Sequence, residues 1–155
     1  MNSVPFTKDG FEKMKKELER LKKVDRPQNI KAIEEARAHG DLSENAEFEA
    51  AKEKQAFIEA MINKLSYNIG NAEVILPDTL PKDKAVFGHY VLLENIETGD
   101  ESKYQLVGPE ESSIEEGRIS VSSPLGKAIL GKKVGDEVVL NAPGGKRNYE
   151  LVEIF

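Results

Sequence analysis

The sequence predicts an α+β chain in which a long antiparallel helical hairpin precedes a small antiparallel sheet domain with one short helix. Three observations predict it. Residues 8–76 contain one proline, Pro27, whereas residues 77–155 hold five of the seven in the chain, at 77, 81, 109, 124 and 143. The first half carries apolar residues spaced alternately three and four apart, the signature of a coiled-coil seam. The second half breaks into short β-rich runs separated by Gly- and Pro-containing turns.

The first helix is expected to open at Thr7 as N-cap, with Asp9 on the positive end of its dipole. Phe11, Met14, Leu18 and Leu21 follow at spacings of three, four and three. Beyond Pro27 the apolar set becomes Ile30 and Ile33, out of phase with the first, so a kink or phase slip is expected near Pro27. The second helix reads more regularly: Phe48, Ala51, Gln55, Ile58, Ile62, Leu65, Ile69 and Ala72 alternate throughout, with Gln55 the one polar member. The two seams would bury each other. Charge agrees with that pairing. Residues 8–38 carry 10 Lys/Arg against 7 Asp/Glu, and residues 41–73 carry 3 against 7, nets of +3 and −4. At about 1.5 Å per residue, two helices of roughly 30 residues make a rod on the order of 45 Å long. A plain dimerisation arm would read the same way.

Residues 86–95, 101–107, 117–121, 136–142 and 147–154 are strand candidates. Thr98-Gly99-Asp100 and Pro143-Gly144-Gly145 supply hairpin turns. Ser123-Pro124 opens a short helix through Leu130, with Ser123 as N-cap, Pro124 at the first helical position and Gly131 closing it. The division between the halves is placed at Pro77: residues 1–76 as the helical domain, 77–155 as the sheet domain.

Composition narrows the chemistry. The chain of 155 residues has a formal charge of −6, no cysteine, no Trp and two histidines. Disulfides, thiolate metal sites and cysteine nucleophiles are excluded. An acidic chain does not hold bare duplex by counterion release, so contact with nucleic acid would need local basic residues or a partner. The start MNSVPFTKDG has no apolar core of a signal peptide, and no run of 18 apolar residues follows; both argue for a cytoplasmic protein without a membrane span.

The stretch RAHGDLSENAEF, residues 37–48, joins the two helices. Gly40 is suited to end the first, and Asp41 stands at the start of the second. Asp41 and Glu44, three apart, can converge at a helix start. Two carboxylates make an incomplete Mg²⁺ shell, able to complete a site supplied by another molecule. Asp41-Leu42-Ser43-Glu44 also matches a capping box, which needs no metal. Arg37 and Lys52 could meet phosphates. His39 and Glu47 read as solvated, as do Glu110-Glu111 and Glu115-Glu116.

Two motifs, EARAHGDLSENAEF at the helix junction and ISVSSPLGKAILGKKVGDEVVLNAPGG near the C-terminus, resemble those of the bacterial Gre transcription elongation factors. The resemblance covers essentially the whole chain. It implies an antiparallel coiled coil followed by a domain of the FK506-binding-protein-like (FKBP-like) fold. It further implies an accessory factor, not an enzyme on its own, that enters the secondary channel of bacterial RNA polymerase. There it would stimulate the polymerase's own cleavage of backtracked RNA. By this similarity Asp41 and Glu44 are the catalytic acids. They bind Mg²⁺ only within the polymerase complex, the ion being shared with the polymerase active site, and no cofactor is held by the free chain. Arg37, Ser43, Asn45 and Lys52 are expected to contact the nascent RNA 3′ end or polymerase near the tip, and Ser123 and Pro124 to dock on the polymerase rim. Nucleic acid is met only inside the elongation complex. Phe48 stands where the family commonly has Tyr, and Lys52 where it commonly has Arg, losing a hydroxyl and a bidentate fork respectively. The arm lacks the dense basic patch of the family members that release longer RNA, so short products are expected. Three other readings remain: a channel inhibitor without cleavage, a prolyl isomerase suggested by the C-terminal fold alone, and a coiled-coil adaptor.

Overall fold

The computed structural model describes residues 3–39 and 45–155. The chain forms two compact units, one containing Phe11–Ala72, the other Pro5–Gly10 together with Glu73–Phe155.

The first unit is helical. Helix α1 (Lys8–Arg20), whose first turn belongs to the second unit, runs through a π-helical segment, Leu21–Asp25, into α2 (Arg26–Ala38). Asp25 and Arg26 keep right-handed helical dihedrals, so the three pieces are one continuous helix. Thr7 caps it as expected, its Oγ1 accepting the Gly10 N–H at 3.1 Å. The expected phase slip takes the form of the π segment. Pro27, second residue of α2, lacks an N–H to return to the preceding turn, and the widened turn before it accommodates that loss. The slip also changes which residues face inward. Asn29, Ile33 and Ala36 are buried, while Ile30, expected in the seam, is 44% exposed. From Leu21 to Ile33 the inward positions advance by fours, and that sequence lands on Asn29. Its burial is tolerated because Nδ2 donates to the Ala51 carbonyl of the facing helix at 2.9 Å.

Helix α3 (Ala46–Gly70) packs against α2. Its seam matches expectation from Phe48 to Ile69, every member being buried or half-buried, whereas Ala72, expected in the same helix, begins the strand that follows it. Arg26 meets Glu59 across the pair with a two-pronged bond, Nε to Oε1 at 2.8 Å and Nη2 to Oε2 at 2.9 Å. Such a half-exposed pair contributes about 0–1 kcal/mol, but its fork geometry favours one register. No helix among the described residues is long and apolar enough to cross a membrane.

The second unit is built on a five-stranded sheet ordered β5-β4-β3-β7-β6, from β3 (Tyr90–Asn95), β4 (Glu101–Val107), β5 (Arg118–Ser120), β6 (Glu137–Ala142) and β7 (Gly145–Ile154). A pair of short strands, β1 (Val4–Thr7) and β2 (Ala72–Ile75), forms a separate two-stranded sheet that the sequence reading did not anticipate. Four residues with a proline among them show no alternation to read. The larger sheet is antiparallel except at one place: β5 pairs parallel to β4. Residues 108–117, with two 3₁₀ turns at Pro109–Glu111 and Ile114–Glu116, carry the chain back across the sheet, which a parallel neighbour requires. The short helix α4 (Pro124–Ile129) covers one face, and Val91, Leu93, Leu106, Ile119, Ile129, Val138 and Leu151 fill the core between.

Glu111 departs from the solvated role expected of it. Its carboxylate accepts the Thr7 N–H at 2.9 Å and the Thr7 hydroxyl, and lies where a Cβ on Gly10 would be, 2.0 Å from Oε1. An anion beside the first turn of α1 also complements its dipole. Another departure lies on the sheet. Glu101, Glu94, Glu150 and Glu137 stand directly opposite one another across β4, β3, β7 and β6. Like charges so placed repel.

His89 is fully buried. Its Nδ1 accepts the Val86 N–H at 3.1 Å, which puts the proton of the neutral ring on Nε2, an atom without a hydrogen-bond partner. Burial, and then the neighbouring Lys82 charge, hold this imidazole below its ordinary value of 6.5, with Asp83 partly opposing.

Two outcomes follow from these features. A folded-state value below the unfolded one means that the unfolded chain takes up the proton first on acidification. Stability from neutral His89 is therefore complete above about pH 6.5 and is lost as pH falls toward the depressed value. In His89→Asn, where Oδ1 can still accept the Val86 N–H, melting temperature should fall less steeply with acid than in the wild type. Glu150→Lys should stabilise the sheet by about 0.5–1 kcal/mol, because it replaces two repulsive cross-strand pairs by attractive ones. Melting curves should show that gain at low salt and its shrinkage at high salt.

Candidate functional site

The end of the helical hairpin is built from the last turn of α2 and the first of α3. His39 closes α2, its N–H donating to the Ala36 carbonyl at 3.2 Å. Asn45 caps α3: its backbone is extended and its Oδ1 accepts the Phe48 N–H at 3.1 Å. The capping box expected at Asp41–Glu44 falls outside the described residues, and the N-cap that the structure assigns to α3 is four residues later than Asp41. Glu47 and Glu49 occupy the first turn, where carboxylates suit the helix dipole.

Three contacts draw the two helix ends together. Asn45 Nδ2 donates to the Ala36 carbonyl at 2.7 Å. The Arg37 guanidinium carbon lies 5.9 Å from the centre of the Phe48 ring, within cation–π range. His39 Nδ1 lies 3.4 Å from Glu47 Oε2, so both residues read as solvated are in fact neighbours, although each side chain remains mostly exposed. Of the residues singled out from the sequence, the structure brings Arg37 and Asn45 together here. Lys52 is exposed one turn beyond Phe48 on α3. Asp41, Ser43, Glu44 and the expected terminator Gly40 lie outside the described residues.

A second candidate surface lies in the sheet unit. A groove of about 620 Å³ opens beside the 3₁₀ turns and α4, lined by Tyr104, Ile114, Arg118, Ile119, Pro124 and Leu125 among others. Ser123 caps α4 as expected, accepting the Gly126 N–H at 3.1 Å while its hydroxyl donates to the Ser120 carbonyl at 2.6 Å. Gly126 makes close packing possible there, since a Cβ on it would stand 1.9 Å from the Ser120 oxygen. Ser123 and Pro124 thus stand on one lip of the groove. Ile114 on the other lip is 79% exposed. The sequence reading passed over Ile114, and the available signal was a lone large apolar residue between Ser-Ser and Glu-Glu.

Comparison with known proteins gives one consistent answer. Residues 4–74 match the family described as "Transcription elongation factor, N-terminal", and residues 80–155 that described as "Transcription elongation factor, GreA/GreB, C-term". The chain is 55% identical to transcription elongation factor GreA of Syntrophus aciditrophicus, across all of this chain and 96% of the relative. It is 52% identical to the protein of that name from Syntrophobacter fumaroxidans, over 99% of each. Among solved structures, the GreA factor homolog 1 (Gfh1) of Thermus thermophilus is 32% identical over 99% of both chains, with a TM-score of 0.46. Matches to both halves and identities of this size along the whole length place the chain in the GreA/GreB family of transcription elongation factors.

Proposed function

We propose that this elongation factor enters the secondary channel of bacterial RNA polymerase and stimulates cleavage of backtracked nascent RNA by the polymerase active site. The observation that carries the reading is the closure of the hairpin end. Asn45 bonds back to Ala36, and the five residues that bridge the two helices, 40–44, include the acids Asp41 and Glu44.

Two carboxylates fit part of the oxygen shell of Mg²⁺ and leave most of it to water and other ligands. In the polymerase, its own acids and the RNA phosphate would complete that shell. Bound there, Mg²⁺ supplies charge neutralisation at the phosphate and a more acidic water. Asp41 and Glu44 would hold the ion there and would orient the attacking water as hydrogen-bond acceptors. The chain makes no cut alone; it completes a site on another molecule. Arg37, Ser43, Asn45 and Lys52 would contact RNA or polymerase nearby, the Arg37 side chain being exposed beside the Phe48 ring. The groove beside Ser123 and Pro124 receives the polymerase rim, with Ile114 as an apolar lip. The protein works in the cytoplasm, with no membrane partner.

The decisive experiment adds the purified protein to a backtracked complex carrying labelled RNA and measures released oligonucleotides. Asp41→Asn and Glu44→Gln should each lower the stimulated rate by about a hundredfold or more, with melting temperature little changed, because an amide is a poor ligand and a weaker acceptor for the water proton. Raising Mg²⁺ should partly restore both, and calorimetry on the free protein should find no tight Mg²⁺ site. Wild-type rates in either variant would remove that residue from the chemistry. Ile114→Glu should raise the concentration for half-maximal stimulation by about five- to tenfold while leaving the maximal rate and the melting curve unchanged, as expected of an exposed contact residue.

A further inference from the structure

The five-stranded sheet ends differently on its two sides. On one side β5 is three residues long and its outer groups are in use. Ser113 and Arg118 exchange two backbone bonds of 2.9 Å, and the Ser123 N–H donates to the Ser120 carbonyl at 3.0 Å. On the other side β6 runs six residues in unbroken register with β7. The two-residue loop Pro143-Gly144 closes on the pair Ala142–Gly145, which fixes the phase of the ladder. Ala142, Leu140 and Val138 turn their backbone groups toward β7, and Asn141, Val139 and Glu137 turn theirs outward. Among the described residues no backbone group pairs with those three N–H and three C=O groups. Open edges are ordinarily blunted by Lys, Pro or a bulge. The run Glu-Val-Val-Leu-Asn-Ala has none of these, and Val139 is 42% exposed.

Charge complementarity names the strand that such an edge accepts. The row Glu101, Glu94, Glu150 and Glu137 crosses four strands and stops at β6. A strand laid on β6 sets its own residue fifth in that row, about 4.8 Å beyond Glu137. Lys or Arg there is attracted to Glu137 and extends toward Glu150, whereas a carboxylate or phosphate there lengthens the repulsion. A groove of about 380 Å³ lined by Glu94, Glu137, Glu150 and Ile96 leaves room for a long cationic side chain, with Ile96 as a wall for its methylene stem. Val138 lies in the core, so Val139 shares the outer face with Glu137 and favours an apolar residue opposite it. A second copy of β6 is a poorer fit, because its six residues include no Lys or Arg. We propose that the open edge of β6 is a docking strand for an extended basic segment of another protein, which adds to the sheet with Lys or Arg opposite Glu137 and an apolar residue opposite Val139. Main-chain bonds supply the affinity of such an addition and the alternate side chains its specificity.

The probe is a seven-residue peptide blocked at both ends, Thr-Lys-Thr-Val-Thr-Lys-Thr, whose symmetry sets Lys opposite Glu137 and Val opposite Val139 in either strand direction. It is titrated into the full chain, followed by amide NMR shifts and hydrogen exchange. Shifts should concentrate on residues 137–142, and the outward amides of Val139 and Asn141 should exchange about tenfold more slowly or less at saturation. Exchanging both Lys of the peptide for Glu should weaken binding about tenfold or more, and Glu137→Lys should reverse that preference. Two further peptides are N-methylated, one on its Lys and Val residues, the other on its Thr residues; one should lose binding and the other keep it, because a strand turns alternate N–H groups to its neighbour. Val139→Pro, a substitution suited to an edge N–H that faces solvent, should lose the peptide while the rest of the spectrum stays in place. No shifts at residues 137–142 with millimolar peptide would overturn the proposal. Equal binding of the Lys and Glu peptides would overturn the basic partner, and equal binding of both N-methylated peptides would overturn strand addition. A concentration-dependent dimer that Val139→Pro abolishes would make the occupant a second copy and overturn the proposal as well.

Discussion

Helix α3 imposes one demand on the helical unit: a stripe of side chains at alternating spacings of three and four, apolar except for Gln55, from Phe48 to Ile69. A partner helix must present a matching stripe over the same length. The preceding helix contains Pro27 and cannot do so as a regular α-helix. The π turn at Leu21–Asp25 resolves the conflict by shifting the phase, so that Asn29, Ile33 and Ala36 follow Leu21 on the inward side. Register is then set by polar groups, because a slide of one turn would break the bonds Asn29–Ala51, Arg26–Glu59 and Asn45–Ala36 together. The geometry at the far end of the hairpin is thus fixed partly by a phase correction many residues away.

Both candidate surfaces rely on the same small device. Asn45 and Ser123 are helix N-caps whose side chains accept one backbone N–H and donate to a carbonyl outside their own helix. A cap that only accepts would start the helix without fixing where it starts relative to its neighbour. The second bond supplies that information at the hairpin end and beside the groove alike.

The parts of the fold that were legible in the sequence are those that obey a period or a turn rule. The α3 seam, strands β4, β6 and β7, and the capped helix at Ser123 could be read directly. Ile30 was misplaced because a periodic pattern carries no sign of a π insertion; the buried position fell on Asn29, whose polarity hides it. Capping chemistry is degenerate, so the Asp-x-x-Glu motif at Asp41 drew the helix start away from Asn45. Strand β5 lies within the expected strand 117–121, but its parallel pairing with β4 was not foreseen, because alternation tells which side a residue faces, not which strand it pairs with. Glu111 was read as solvated from the composition of its loop, and its partner Thr7 lies 104 residues away in sequence. For the candidate site, Asp41 and Glu44 lie outside the described residues, whereas Ile114 and the cross-helix bond of Asn45 depend on neighbours that only the folded chain brings near.

The bond between Thr7 and Glu111 also bears on the order in which the chain can be completed during synthesis. The hairpin can close once α3 has left the ribosome. The Thr7 amide and hydroxyl must wait for Glu111, 104 residues later, an interval of about 5–20 s at translation rates of roughly 5–20 residues per second, although β1 can pair with β2 well before then. One of the earliest residues to be made is thus among the last to complete its hydrogen bonds. A nascent or truncated chain that stops before Glu111 can hold β1 on β2, yet it leaves the first turn of α1 without the carboxylate that receives the Thr7 amide and hydroxyl.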